Sequence, residues 1–341
     1  MVEHDHRLPD LAGRALGASV VYANDEFFAA AENLINPRPA AHDPAAFGPR
    51  GKLYDGWETR RRRGDGTDFV VVRLAAPAIV RTVNIDTAHF RGNYPPHASV
   101  EGACLLGYPA VDEVLASEWR PLVAKTELAG DTANIAAAVP GGLVTHVRLT
   151  IHPDGGVARF RVFGEVVPDP RRLGGRVDLS SVLHGGVITD CSNMFYAAPA
   201  NVLLPGRAEV MSDGWETARR RDDGNDWLVV RLGVPGIPHH AVIDTGRFIG
   251  NAPGAVTLST VDGQSLLPRT RLLPDTEHHF RVHAETATTS VRLDIHPDGG
   301  LSRLRIYGTV PEDAQDEIAR RWLEALPPEV AATVDPAGFF D

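Results

Sequence analysis

The 341-residue chain reads as all-β: two β-sandwich domains in tandem, followed by a short C-terminal helix. Three observations lead there. One unusual string occurs twice at a domain-sized interval. Short β-branched and aromatic runs, separated by Gly, Pro, Asn and Asp, fill both copies. Helical periodicity is strong in only one stretch, near the end.

The recurring string is Asp55-Gly56-Trp57-Glu58-Thr59, followed by arginines at 60–63. It returns as Asp213-Gly214-Trp215-Glu216-Thr217, followed by Arg219, Arg220 and Arg221. An interval of 158 residues is too long for a solenoid repeat and fits a duplicated domain. At the same offset, Ile85-Asp86-Thr87-x-x-Phe90-x-Gly92-Asn93-x-Pro95 matches Ile243-Asp244-Thr245-x-x-Phe248-x-Gly250-Asn251-x-Pro253. Ile151-His152-Pro153-Asp154-Gly155-Gly156 matches Ile295-His296-Pro297-Asp298-Gly299-Gly300 at an offset of 144, so the first copy holds 14 extra residues, between Glu101 and Lys125. The expected organisation is a first repeat at 1–167, a linker at 168–176, a second repeat at 177–310, and a helix with tail at 311–341. Residues kept in both copies have survived their divergence.

Taken in order, a short helix is expected around Asp25–Asn33, capped by Asn24 or Asp25. Val70–Leu74, Val80–Ile85 and Val147–Ile151 read as strands, and Arg159–Phe163 alternates polar and apolar residues as a half-buried strand does. Pro153-Asp154-Gly155-Gly156 is a turn signal between two of them. Arg159 and Arg161, like Arg303 and Arg305, share a strand face and are expected to be solvated or salt-bridged. The C-terminal helix is placed at Glu312–Ala325, where Ala314, Ile318, Trp322 and Leu326 recur at helical spacing before Pro327-Pro328.

Composition narrows the function. A net charge of −10 argues against nucleic acid or an anionic membrane as partner. No apolar run is long enough to span a bilayer, and Met1–His6 is polar, without the basic-then-apolar order of a secretory leader. Only Cys104 and Cys191 occur, at non-equivalent repeat positions, so a disulfide framework is not expected and the cytoplasm is the default location.

Each repeat carries the same reactive groups on loops at one end of its sheets: Glu58, Asp86, His152 and Asn93 in the first, Glu216, Asp244, His296 and Asn251 in the second. Successive arginines cannot all face a core, so Arg61 or Arg62, and Arg219 or Arg220, are candidates to hold an anionic ligand. Each group also has a structural reading. Trp57 packs while the arginines pair with Glu58 and Asp65; Asp86 and Asp244 satisfy loop amides. Gly92-Asn93 and Gly250-Asn251 form positive-φ turns or present an amide to a ligand; His152 and His296 are structural donors or acid–base groups. No metal signature of helical or CxxC spacing exists, so a divalent-metal site would have to be assembled from distant loops.

DGWETRRR, ID-T-x-x-F-x-G-N-x-P and R-L-x-I-H-P-D-G-G-x-x-R-x-R-x-x-G together resemble the allantoicase family, over about Asn24 to Val310. The resemblance implies two jelly-roll domains of the galactose-binding-like kind, hydrolysis of allantoate to ureidoglycolate and urea, and a homo-oligomer. On it, Glu58, Asp86 and His152 perform the proton transfers, with Arg61 or Arg62 on the substrate carboxylate and Asn93 on a ureido amide. Glu216, Asp244, His296, Arg219, Arg220 and Asn251 are their counterparts, and the more polar first-repeat loops make that repeat the main site. The competing reading is a non-catalytic tandem jelly roll that binds a small polar ligand or a glycan.

Overall fold

A computed structural model describes residues 8–341; the polar stretch Met1–His6 lies outside the described residues. The chain divides at Val167/Pro168 into two compact units, with residues 324–334 joining the first and 335–341 the second. Each unit is built almost wholly of antiparallel strands.

In the first unit the two strands expected at 70–74 and 80–85 are one 19-residue strand, Asp68–Asp86. Its first part pairs with Ser19–Ala23 and Val144–His152; its second part pairs with Ala133–Ala137 and Arg159–Val166. The change of partners falls between Arg73 and Ala78, around Pro77, which has no amide hydrogen to give to a ladder. One strand thus serves both layers of the sandwich. Its alternating side chains meet those of the facing strands in a core that includes Val70, Val72, Val83, Phe90, Val100, Leu149, Ile151 and Phe160, all fully buried. The second unit repeats this with Asp226–Asp244, which pairs with Val187–Cys191 and Thr288–His296, then with Glu277–Arg281 and Arg303–Thr309.

One local expectation changes, and other segments gain detail. Residues 25–30 are not helical; the only turn nearby is the 3-10 segment Ala31–Ile35, because the Asp25 carboxylate accepts from the Phe27 amide and from Arg60 instead of capping a helix. The 14-residue insertion carries a short helix, Val111–Ala116. Segment 168–176 is packed: Pro168, Asp169 and Pro170 are buried, and Asp169 holds the Arg171 amide and guanidinium. The terminal helix spans Glu312–Ala325, with Ile318 and Trp322 buried.

His146, on the Val144–His152 strand, is buried, with Nδ1 2.9 Å from the Thr145 hydroxyl. Burial, helped by the Arg73 charge, lowers its pKa to about 4. The unfolded chain therefore binds a proton here that the folded chain refuses between about pH 6.5 and 4. Stability contributed at neutral pH is lost as pH falls through that window, by about 3 kcal/mol in total. His146→Gln should lessen the fall in unfolding free energy measured from pH 7 to 4.5.

Candidate active site

Trp57 anchors the site. Its ring is fully buried, and its Nε1 donates to the Asp25 carbonyl at 2.7 Å. Trp57–Glu58 is a short strand paired with Gly156–Val157, so the conserved string lies against the Pro-Asp-Gly-Gly turn. The Thr59 amide donates to the Gly155 carbonyl, and the Gly155 amide donates to Thr59 Oγ1. Glu58 is thereby fixed at one end of the sandwich. The second repeat has the same staple, from Trp215–Glu216 to Gly300–Leu301, with Thr217 on Gly299.

Gly155 makes this close approach feasible. Its φ is +140°, and a Cβ there would lie 2.7 Å from the Pro95 nitrogen and 2.9 Å from the Asn93 carbonyl. Gly155→Ala should cost about 1–3 kcal/mol of fold stability and push Asn93 out of place, lowering turnover. Gly92→Ala, in open space, should leave the unfolding midpoint nearly unchanged. The left-handed residues of this loop are His89 (φ 69°) and Arg247 (φ 73°), not the Gly-Asn pairs. The Asn93 amide is used otherwise: its Nδ2 donates to Glu58 Oε1 at 2.7 Å.

A cleft of about 520 Å³ opens over this pair, lined among others by Phe28, Arg61, Arg62, Tyr94 and Asp154. Glu58 is largely desolvated, which raises its pKa; the bond from Asn93 partly opposes the rise. Arg62 is held by the protein: its Nε and Nη2 donate to Asp68 Oδ1 at 2.9 and 2.6 Å, and its backbone amide donates to Asp154 Oδ2 at 2.8 Å. Asp68 is itself buried, so Arg62 serves first as the counter-ion of a core carboxylate. Arg61 is exposed at the cleft and has no partner among the described residues. Of the two arginines, it is the one whose guanidinium remains available to a ligand.

Two expected groups are not brought to the cleft. The Asp86 carboxylate accepts from the Ala88 amide at 2.9 Å, as Asp244 does from Gly246 at 2.7 Å, which is the loop-amide role. His152 alternates with Ile151, whose side chain enters the core. Its Nε2 lies 3.0 Å from Ser99 Oγ, and burial, then Lys125 and His97, lowers its pKa. His296 is placed likewise, 2.9 Å from Thr257 Oγ1. Neither Asp86 nor His152 lines the cleft. Among the described residues, no three His, Cys, Asp or Glu side chains gather as a metal site.

Asp154 is a cleft residue that the sequence shows only as turn chemistry, although its retention as Asp298 is a signal; Tyr94, one of the polar loop residues that favour the first repeat, is Ala252 in the second copy. The second repeat keeps the floor of the site: Asn251 Nδ2 donates to Glu216 Oε1 at 2.6 Å, and the Arg220 amide donates to Asp298 Oδ2 at 2.8 Å. The Arg220 guanidinium is tied to Asp222 and Asp226, while Arg219 is exposed with no partner among the described residues.

A duplicated jelly roll whose loops gather a desolvated carboxylate, an amide, an unpaired guanidinium and a second carboxylate defines a hydrolase-type site for a small polar anion. The allantoicase repeat model matches residues 9–167 and 177–311, and the chain belongs to the allantoicase family. A probable allantoicase of Nocardia farcinica is 51% identical over 309 residues, covering 88% of this chain and 94% of that protein. One from Streptomyces coelicolor is 47% identical over 334 residues, covering 92% and 89%. The crystal structure of allantoicase from Saccharomyces cerevisiae has a TM-score of 0.76 at 34% identity, covering 88% of this chain and 92% of that one. These relatives favour the enzyme over the non-catalytic binding module.

Proposed function

We infer that this chain hydrolyses allantoate to ureidoglycolate and urea, with the first-repeat cleft as its principal site. The observation that carries the placement is the desolvated Glu58, bonded to Asn93, beside the unpaired Arg61. Allantoate has a carboxylate and two ureido groups on one carbon. Arg61 holds the carboxylate. Asn93 donates to Glu58 Oε1, so its own carbonyl oxygen is free to accept from a ureido N–H.

Glu58, its proton favoured by burial, gives that proton to the nitrogen of the departing ureido group. The carbon–nitrogen bond breaks and urea leaves. The hydroxyl of a water bonds to the same carbon, and Asp154 takes the remaining water proton. Arg62 and Asp68 hold the loop that carries Arg61, and the Arg62 amide orients Asp154. Asp86 and His152 stay outside these steps.

A homo-oligomer and a cytoplasmic location complete the proposal. The location is supported by Cys104 and Cys191, neither of which is in a disulfide; among the described residues no helix is long and apolar enough to cross a membrane. Size-exclusion chromatography with light scattering tests the assembly.

Urea release from allantoate, with and without prior chelation, tests the reaction. Equal release in both samples supports the side-chain proton transfers. Release lost on chelation and restored by a divalent ion would require a metal in place of the Glu58–Asp154 scheme. Absence of urea in every sample would refute the hydrolase reading.

A further inference from the structure

The second repeat holds a cleft of its own, of about 660 Å³, lined by Val210, Met211, Arg247, Ile249, Gly250 and Asn251. Asn251, which lines it, keeps the bond to Glu216 that Asn93 makes to Glu58, and behind it the Arg220–Asp298 contact also recurs, each within a tenth of an ångström. The loop beside it differs: Arg91, Tyr94 and Pro96 become Ile249, Ala252 and Gly254, of which Ile249 lines the second cleft. The first-repeat segment between Asn33 and Asp55, which carries the hairpin Phe47–Gly48 and Gly51–Lys52, is ten residues shorter between Asn201 and Asp213. Val210 and Met211 stand in the shortened segment.

A cation has also been added, for Arg219, the counterpart of Arg61, stays exposed with no partner among the described residues. His89 Nε2 of the first repeat donates to the Ala40 carbonyl at 3.2 Å, whereas its counterpart Arg247 lines the second cleft. Apart from one bond from Nε to the Ala208 carbonyl at 3.3 Å, that guanidinium has no side-chain partner among the described residues. Ile249 is 72% exposed, Val210 45% and Met211 44%. An amide that can read a ureido group, an added guanidinium and an apolar wall therefore stand together.

We propose that the second repeat is a separate binding site for N-carbamoyl amino acids with an apolar side chain. This rests on the assignment of the Asn93 carbonyl as a ureido acceptor, a role that Asn251 copies. The Asn251 carbonyl oxygen, its amide nitrogen being engaged by Glu216, receives an N–H of the single ureido function. Arg247 takes the carboxylate. Met211, Ile249 and Val210 cover the hydrocarbon chain, where a second ureido group would lose its hydrogen bonds to water without replacement. The duplication has thus separated two ligands that share a ureido group and a carboxylate and differ in the third substituent.

Titration calorimetry of the full chain with N-carbamoyl-L-leucine tests this, with urea release from allantoate measured on the same preparation. One molecule should bind per chain. Binding should persist in Glu58→Gln and weaken at least about tenfold in Arg247→Ala and Asn251→Ala, with Arg247→Lys intermediate. Leucine without the carbamoyl group should bind more weakly than the probe. Arg247→Ala should release urea from allantoate at the parent rate, which also shows that the variant is folded. Absence of binding, or binding abolished by Glu58→Gln and unaffected by Arg247→Ala, overturns the proposal. Failure of urea release in the parent protein instead refutes the allantoate assignment, and the calorimetry remains readable without it.

Discussion

Glu58→Gln lowers allantoate turnover by about 10²–10⁴-fold, the range for loss of a positioned general acid. Glutamine keeps an oxygen to accept from Asn93 Nδ2, which now donates at 2.7 Å, so the loop and the substrate contacts persist. KM should change little, and the loss should fall on kcat. The parent enzyme should also lose activity as pH rises through the elevated Glu58 pKa, because the proton needed by the leaving nitrogen is then gone. That alkaline limb should be missing from the residual activity of the variant. Glu216→Gln should leave allantoate turnover within about twofold, since the second cleft lacks the Tyr94 wall. A full-rate Glu58→Gln enzyme would sink the first-repeat mechanism.

Arg159→Met destabilises the first unit by about 3–5 kcal/mol, the cost of breaking a buried, hydrogen-bonded ion pair. Arg159 is 1% exposed. Its guanidinium donates to the carbonyls of Arg38, Pro39, Asp55 and Ala158 and to Asp55 Oδ2 at 2.7 Å. Burial disfavours the Asp55 charge, yet Arg159 and the Ala41 amide hold its pKa below the usual carboxylate value. Removing Arg159 leaves those carbonyls unsatisfied and the carboxylate without its counter-ion, and it frees the segment 38–55 that leads into Trp57. Denaturant unfolding reads the loss. Arg81→Ala, which removes a half-exposed pair with Glu165, should shift stability by less than about 1 kcal/mol.

Arg159 also shows where sequence reasoning stops. Alternation along Arg159–Val166 places it with Arg161 on one face, but not what covers that face. The segment that buries it lies more than a hundred residues earlier. The same limit applies to the arginine run. Spacing shows that some member must meet an anion, yet only the fold shows that Arg62 already has one in Asp68 and that Arg61 does not.

The sequence by itself determined the duplication, the all-β class, the terminal helix and the pair of residue types on which the site is built. Those are local or periodic properties, and all but the terminal helix were written twice. It also marked Glu58 and Asn93, because both repeats keep them. Which of the marked residues meet was decided only by tertiary structure. Asp86 and His152 carry suitable groups at strand ends, but the pleat and the turn direct one to a loop amide and the other to Ser99. Asp154 carries a group that looked like turn chemistry, and the pairing of Trp57–Glu58 with Gly156–Val157 brings it to the cleft. Strand periodicity assigns a side chain to a face; the convergence of loops distant in sequence depends on packing that no local pattern encodes.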